Sequence, residues 1–127
     1  MRFEIVFILF SLSLVTLAMT HYVAMSLYLY WMYPLFDVPM HFLGGVVIAL
    51  GSQTMLFKKM VLFDITHLLS CLALVLLVGI AWEVFEWHYV ITDMTGYVWD
   101  TSIDIVMDLL GGVFGFLLAS RLRRDFV

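Results

Sequence analysis

The sequence predicts an all-α integral membrane protein: a four-helix bundle with antiparallel neighbours and both termini on the cytoplasmic side. Three observations carry this reading. Of 127 residues, 65% are hydrophobic and only 13% charged, far more apolar surface than one small soluble core can bury. Four apolar stretches are long enough to cross a hydrocarbon core of ~30 Å, which takes roughly 20 helical residues. All six Lys and Arg residues fall on one side of that layout.

The first stretch covers about 4–30 and follows Arg2. A signal peptide cleaved near Ala18 or Thr20 is the competing reading, but the apolar run continues well past any such site, so a span is expected. The second covers about 39–57, just after Asp37 and with Pro39 at its start. The third covers about 66–90 and the fourth about 101–120. Their connections are short, so neighbours should be antiparallel and the chain one transmembrane domain, 1–127.

Arg2, Lys58, Lys59, Arg121, Arg123 and Arg124 then share a side, which the positive-inside rule makes cytoplasmic. Trp31, Trp82, Trp87 and Trp99 gather at the other interface as an aromatic belt. The expected location is a cell membrane, crossed several times, and the expected partner is the lipid bilayer. Charge is sparse and net −4, which argues against nucleic acid. Cys71 is the single cysteine and lies within an apolar run, so packing is its expected role. A homo-oligomer is compatible with all of this.

Against that apolar background, acids concentrate toward the outer end of the spans. Asp37 stands at the mouth of the second helix, with His41 one turn further in, roughly 6 Å deeper at 1.5 Å per residue. Asp100, Asp104 and Asp108 descend the fourth helix to about 12 Å below its start. Glu83 and Glu86 reach the same level from the third. Residues three or four apart share a helix face, so each set is aligned. Gly44, Gly45, Gly79, Gly111 and Gly115 extend those faces, and small residues let membrane helices approach closely. The acids should therefore line one inward pocket.

Ionisable groups at such depth are expensive unless paired, protonated or bound to a cation. No Lys or Arg lies in the outer half to neutralise them. Oxygen-rich sites with one or two imidazoles suit Mg²⁺, Mn²⁺, iron or Zn²⁺ better than copper. The expected ligands are Asp37, His41, Glu83, Glu86, Asp100, Asp104 and Asp108, with Glu83 and Glu86 also candidates for a catalytic base. Helix capping is the plainer reading of Asp37, before Pro39, and of Asp100, where Thr101 and Asp104 could form a capping box. Depth excludes it for Glu83 and Asp108. His88 and Asp93 read as interfacial or loop residues, and His21 and His67 as locally hydrogen-bonded.

Three ordered blocks carry a resemblance: Phe36-Asp37-x-x-x-His41-Phe42-x-Gly44-Gly45, then Trp82-Glu83-x-x-Glu86-Trp87, then Trp99-Asp100-Thr101-x-x-Asp104-x-x-x-Asp108-x-x-Gly111-Gly112. Together they resemble the DUF2238 family of membrane proteins. The Asp-x-x-x-His start of the second helix is more loosely similar to VanZ-like proteins. The resemblance implies that the acids act as a unit and carries no activity with it.

Other chemistries fail on residues. The acid ladder lacks the Asp-Gly-x-x-Ala-Arg element of CDP-alcohol phosphotransferases. Neither Glu83 nor Glu86 is followed by the histidine of a di-iron Glu-x-x-His pair. A His-Glu-x-x-His motif is absent, and no basic residue serves a histidine-based phosphatase. The expectation is a metal-dependent enzyme acting on a lipid-linked or membrane substrate. The alternatives are a structural subunit that binds a partner's basic face, and a cation or proton carrier or sensor.

Overall fold

The computed structural model describes residues 2–55, 64–89 and 96–124. Lys58, Lys59 and Asp93, and the expected ends of the second and third spans at 57 and 90, lie outside them. The described chain folds into α1 (Arg2–Ser26), α2 (Leu29–Met32), α3 (Asp37–Met55), α4 (Ile65–Tyr89) and α5 (Tyr97–Arg124). There is no strand among the described residues. α1, α3, α4 and α5 are each long and apolar enough to cross a membrane. The all-helical membrane bundle expected from the sequence is the fold observed.

Helix ends differ from the sequence reading for identifiable reasons. α1 stops at Ser26 rather than continuing to 30. Tyr28 adopts a left-handed backbone conformation with φ 57°, which a helix does not accommodate, and the one-turn α2 follows. Tyr33 closes α2 in an extended conformation, as a residue preceding proline prefers. α3 begins at Asp37, and Pro39 falls within its first turn, where a missing N–H leaves no helical bond unmade. Asp64 starts α4: its Oδ1 accepts the Thr66 backbone N–H at 3.0 Å, a side-chain cap, and that bond holds the Asp64 carboxyl below its usual range. α5 starts at Tyr97 rather than 101, after Gly96 with φ 86°.

α3 is the centre of the bundle, packing most extensively on α5 and also on α1 and α4. Glycine sets the closeness of the α3–α5 crossing. A Cβ built on Gly45 would collide with the Asp108 carbonyl, one on Gly111 with the Phe42 carbonyl, and one on Gly115 would lie 2.9 Å from the Val46 carbonyl. Backbone thus meets backbone, as small-residue membrane interfaces permit.

Below this crossing lie two apolar clusters, Val6, Val46, Leu50 and Ala119, and Ala49, Cys71, Val75 and Phe116. Cys71 is buried there, its Sγ 3.4 Å from the Ser52 hydroxyl oxygen. Toward the C-terminal end of α3, Arg123 of α5 donates to the Gln53 carbonyl and, at 3.2 Å, to Gln53 Oε1. A helix terminus whose carbonyls lack intrahelical partners is served there from another helix.

Candidate metal centre

His41 occupies the middle of a buried acidic cluster assembled from three helices. Asp37, His41, Glu83, Glu86, Asp104 and Asp108 are each between 1% and 7% exposed. Spacing explains the convergence within each helix, since residues one turn apart share a face. The glycine crossing of α3 and α5 explains it between helices.

The two nitrogens of His41 face different neighbours. Nδ1 lies 3.3 Å from both Oδ1 and Oδ2 of Asp108. With the Asp108 carboxylate accepting, Nδ1 carries a proton, and Nε2 is the nitrogen that faces the other acids. Nε2 stands 3.6 Å from Asp37 Oδ2, 3.6 Å from Glu83 Oε1 and 4.0 Å from Asp104 Oδ2. None of these is a hydrogen bond; His41 Nε2, Asp37 Oδ2 and Glu83 Oε1 are all buried and unpartnered. Buried polar atoms in native proteins are generally hydrogen-bonded, and a proton, a water or an ion placed among these three atoms would satisfy them.

Two groupings bring ligand atoms within 4.8 Å of one another: Asp37, His41 and Glu86, and His41, Glu83 and Asp104. They share His41. Asp108 belongs to neither and sits behind the imidazole. Asp100, also outside both groupings, is half-buried in the first turn of α5.

The capping box expected of Thr101 and Asp104 is not formed, and Asp37 turns one carboxylate oxygen toward the cluster. Asp37 Oδ2 is unpartnered and faces His41. Thr101, expected to form a capping box with Asp104, instead donates its hydroxyl to Glu83 Oε2 at 2.7 Å. Helix α5 already begins four residues earlier, so the hydroxyl is free to cross to α4.

The support that Trp82, Tyr97 and Tyr30 give was not anticipated, whereas His21 and His67 have the local partners expected of them. Trp82 Nε1 donates to Glu86 Oε1 at 2.8 Å, so this tryptophan serves the cluster as well as the interface. The Tyr97 hydroxyl donates to the Glu83 carbonyl at 3.1 Å. Tyr30 and His21 Nδ1 are hydrogen-bonded at 2.8 Å, and the His21 ring meets Trp82 edge-on, centroids 5.5 Å apart. Burial, with the charges of Asp37 and Glu86, pushes the Tyr30 phenol above its usual range. His67 is paired locally, its Nδ1 2.8 Å from Asp64 Oδ2. His88 is exposed against Tyr89.

Asp108 rests in a glycine cradle. Its Oδ1 would be 3.8 Å from a Cβ on Gly44, and its Oδ2 would clash with one on Gly79. Beside it, an apolar cavity of about 370 Å³ reaches His41, Asp37 and Asp108. The described basic side chains Arg121 and Arg123 lie at the far end of α5, roughly 20 Å beyond Asp108 by helical rise. The described residues thus place no Lys or Arg side chain beside the acids.

Chemically, one imidazole among several carboxylates is a donor set for a hard or borderline divalent cation. An Asp–His pair with the distal nitrogen turned toward further ligands is the usual way a protein fixes a metal-binding histidine.

No curated protein and no solved structure matches the chain. A family model described as "Predicted membrane protein (DUF2238)" matches residues 2–125, nearly the whole sequence and all three motif blocks. The chain belongs to the DUF2238 family of membrane proteins.

Proposed function

We propose that the cluster binds a divalent metal ion (Mg, Mn, Fe or Zn) and that the protein is a metal-dependent membrane enzyme acting on a lipid-linked or other membrane substrate. One observation supports this most: His41 is held at Nδ1 by Asp108 and turns an unpartnered Nε2 toward Asp37, Glu83 and Asp104. In this reading Asp37, His41, Glu83, Glu86 and Asp104 surround the ion, Asp108 orients the imidazole, and Asp100 stands at the rim.

A bound ion would activate water or polarise a carbonyl or phosphoryl oxygen. Glu83 has Oε2 held by Thr101 and Oε1 turned to His41, the disposition of a ligand. Glu86, fixed by Trp82, is the candidate base. The positive-inside rule puts both termini in the cytoplasm, so the site opens toward the outer leaflet of a cell membrane.

A carrier would need a polar route through the opposite half of the bundle. Ser52, Gln53 and Thr54 are the polar residues of α3 there: the two hydroxyls donate to the carbonyls of Ala49 and Gly51 at 2.8 and 2.9 Å, and Gln53 accepts from Arg123. Hydroxyls engaged by their own helix make a poor ion path, which favours the enzyme.

The test is turnover of lipid esters, lipid phosphates and isoprenoid substrates by metal-loaded and metal-stripped protein. Metal-dependent turnover lost in Glu86→Gln supports the proposal. Metal-loaded protein that is inert toward all of them but moves cations across liposome membranes overturns it in favour of the carrier.

A further inference from the structure

The cavity beside His41 has the shape of an approach from the bilayer. Its walls are apolar: Leu14 and Ala18 from α1, Val47 and Ile48 from α3, Val78 from α4. Its polar lining is confined to one end, where His41, Asp37 and Asp108 lie beneath His21, Tyr30 and Trp82. At about 370 Å³ it is at the small end of ligand-sized cavities, which run from roughly 300 to 1,000 Å³.

Helix packing leaves this cavity open sideways. α1 packs chiefly on α3, and α4 on α5 and α3. The His21–Trp82 edge contact joins α1 to α4 over the polar end. Below it, Leu14 and Val78 remain 43% and 41% exposed. In a chain whose helices cross a membrane, what reaches such an opening is hydrocarbon.

Charge restricts what the hydrocarbon can carry. Asp37 and Asp108 line the polar end, Glu83, Glu86 and Asp104 stand behind them around His41, and one divalent ion leaves these acids in excess. At the low dielectric of a membrane interior a like charge is strongly repelled. An anionic headgroup is therefore disfavoured, whereas a hydroxyl, an ester or an amine meets acceptors and a Lewis acid.

We propose that the cleft between α1 and α4 binds the single apolar chain of a membrane amphiphile whose polar end is uncharged or cationic, and brings that end to His41 and Asp37 directly from the bilayer. This rests on the proposed function in taking the His41 cluster as the reacting end.

The experiment uses the full chain in nanodiscs with three photoreactive probes of equal chain length, each bearing a diazirine in the chain: a fatty alcohol, an alkylamine and an alkyl phosphate. Crosslinks are mapped by peptide mass spectrometry, and metal content is measured on the same samples. The alcohol or the amine should label Leu14, Ala18 or Val78 in preference to the lipid-facing Leu69 and Leu77. The phosphate should label the cleft about tenfold less, equivalent to ~1.4 kcal/mol. Ala18→Trp, or Val78→Trp should the first fail to fold, should abolish cleft labelling while metal content is kept.

Labelling spread evenly over cleft and lipid-facing positions, cleft labelling indifferent to either tryptophan, or phosphate labelling equal to the others would each overturn the proposal. Cleft labelling of the expected kind in protein without metal would support the cleft and remove the metal enzyme. Metal-loaded protein without cleft labelling would do the reverse.

Discussion

His41 on α3 and Asp108 on α5 face each other at 3.3 Å across 67 residues of sequence, and glycine makes the approach feasible. Gly45 lets the α5 backbone come close at Asp108, while Gly44 and Gly79 leave room for its carboxylate. The pair ties the tightest helix crossing to the only described histidine that is buried.

If Asp108 orients His41 rather than binding the ion, Asp108→Ala should weaken metal affinity about 10- to 100-fold without abolishing it, the usual effect of losing such a partner. Substituting His41 should remove binding. Manganese titration followed by electron paramagnetic resonance distinguishes the two; equal loss in both variants would make Asp108 a ligand instead.

Gly79→Ala and Gly111→Ala should fail differently. At Gly111 the new methyl meets the Phe42 carbonyl, so α3 and α5 must separate, at a cost of about 1–3 kcal/mol or more. At Gly79 it meets the Asp108 side chain, which can move, so metal affinity should fall more than stability does. Thermal unfolding in detergent beside metal titration checks both.

Thr101→Val keeps the shape of the side chain and removes the hydroxyl that serves buried Glu83. Leaving a buried acceptor unpaired costs about 1–3 kcal/mol. The loss should appear in apo protein, and added metal should recover part of it if the ion takes the vacated oxygen. Unchanged apo stability would mean that water replaces the hydroxyl.

Metal removal should lower the unfolding midpoint. A ligand present at a hundred times its Kd stabilises the folded state by ~2.7 kcal/mol, and a chelator takes that away. Carboxylate oxygens and His41 Nε2 bind a cation only when unprotonated, so affinity should fall as pH falls. Calorimetry with and without chelator at several pH values follows both effects; a chelator-insensitive midpoint at neutral pH would speak against a bound ion.

The four spans, and the shared faces of Asp37 with His41, Glu83 with Glu86, and Asp104 with Asp108, could be read from sequence because each follows from spacing within one helix; that Asp100 stands outside both groupings could not. His41 follows Asp37 by a turn, Asp104 and Asp108 repeat that interval, and Glu83 and Glu86 share a face. Trp82 could have been found by the same rule, since Glu86 lies four residues on. Thr101 could not, because its bond to Glu83 depends on the register of α5 against α4. The break at Tyr28 gave no warning either, as neither glycine nor proline occupies the turn. Nor does sequence reveal that Asp108 lies behind His41 while Asp104 lies in front: both belong to one ladder, and only the packing of α3 separates them.

Whether the cluster holds a cation is decided by elemental analysis of protein purified in detergent. Native protein should carry at least one divalent ion per chain, and a folded His41→Ala variant should lose it. Native protein without stoichiometric metal, or a folded His41→Ala variant that retains it in full, would mean that the cluster is not a metal site.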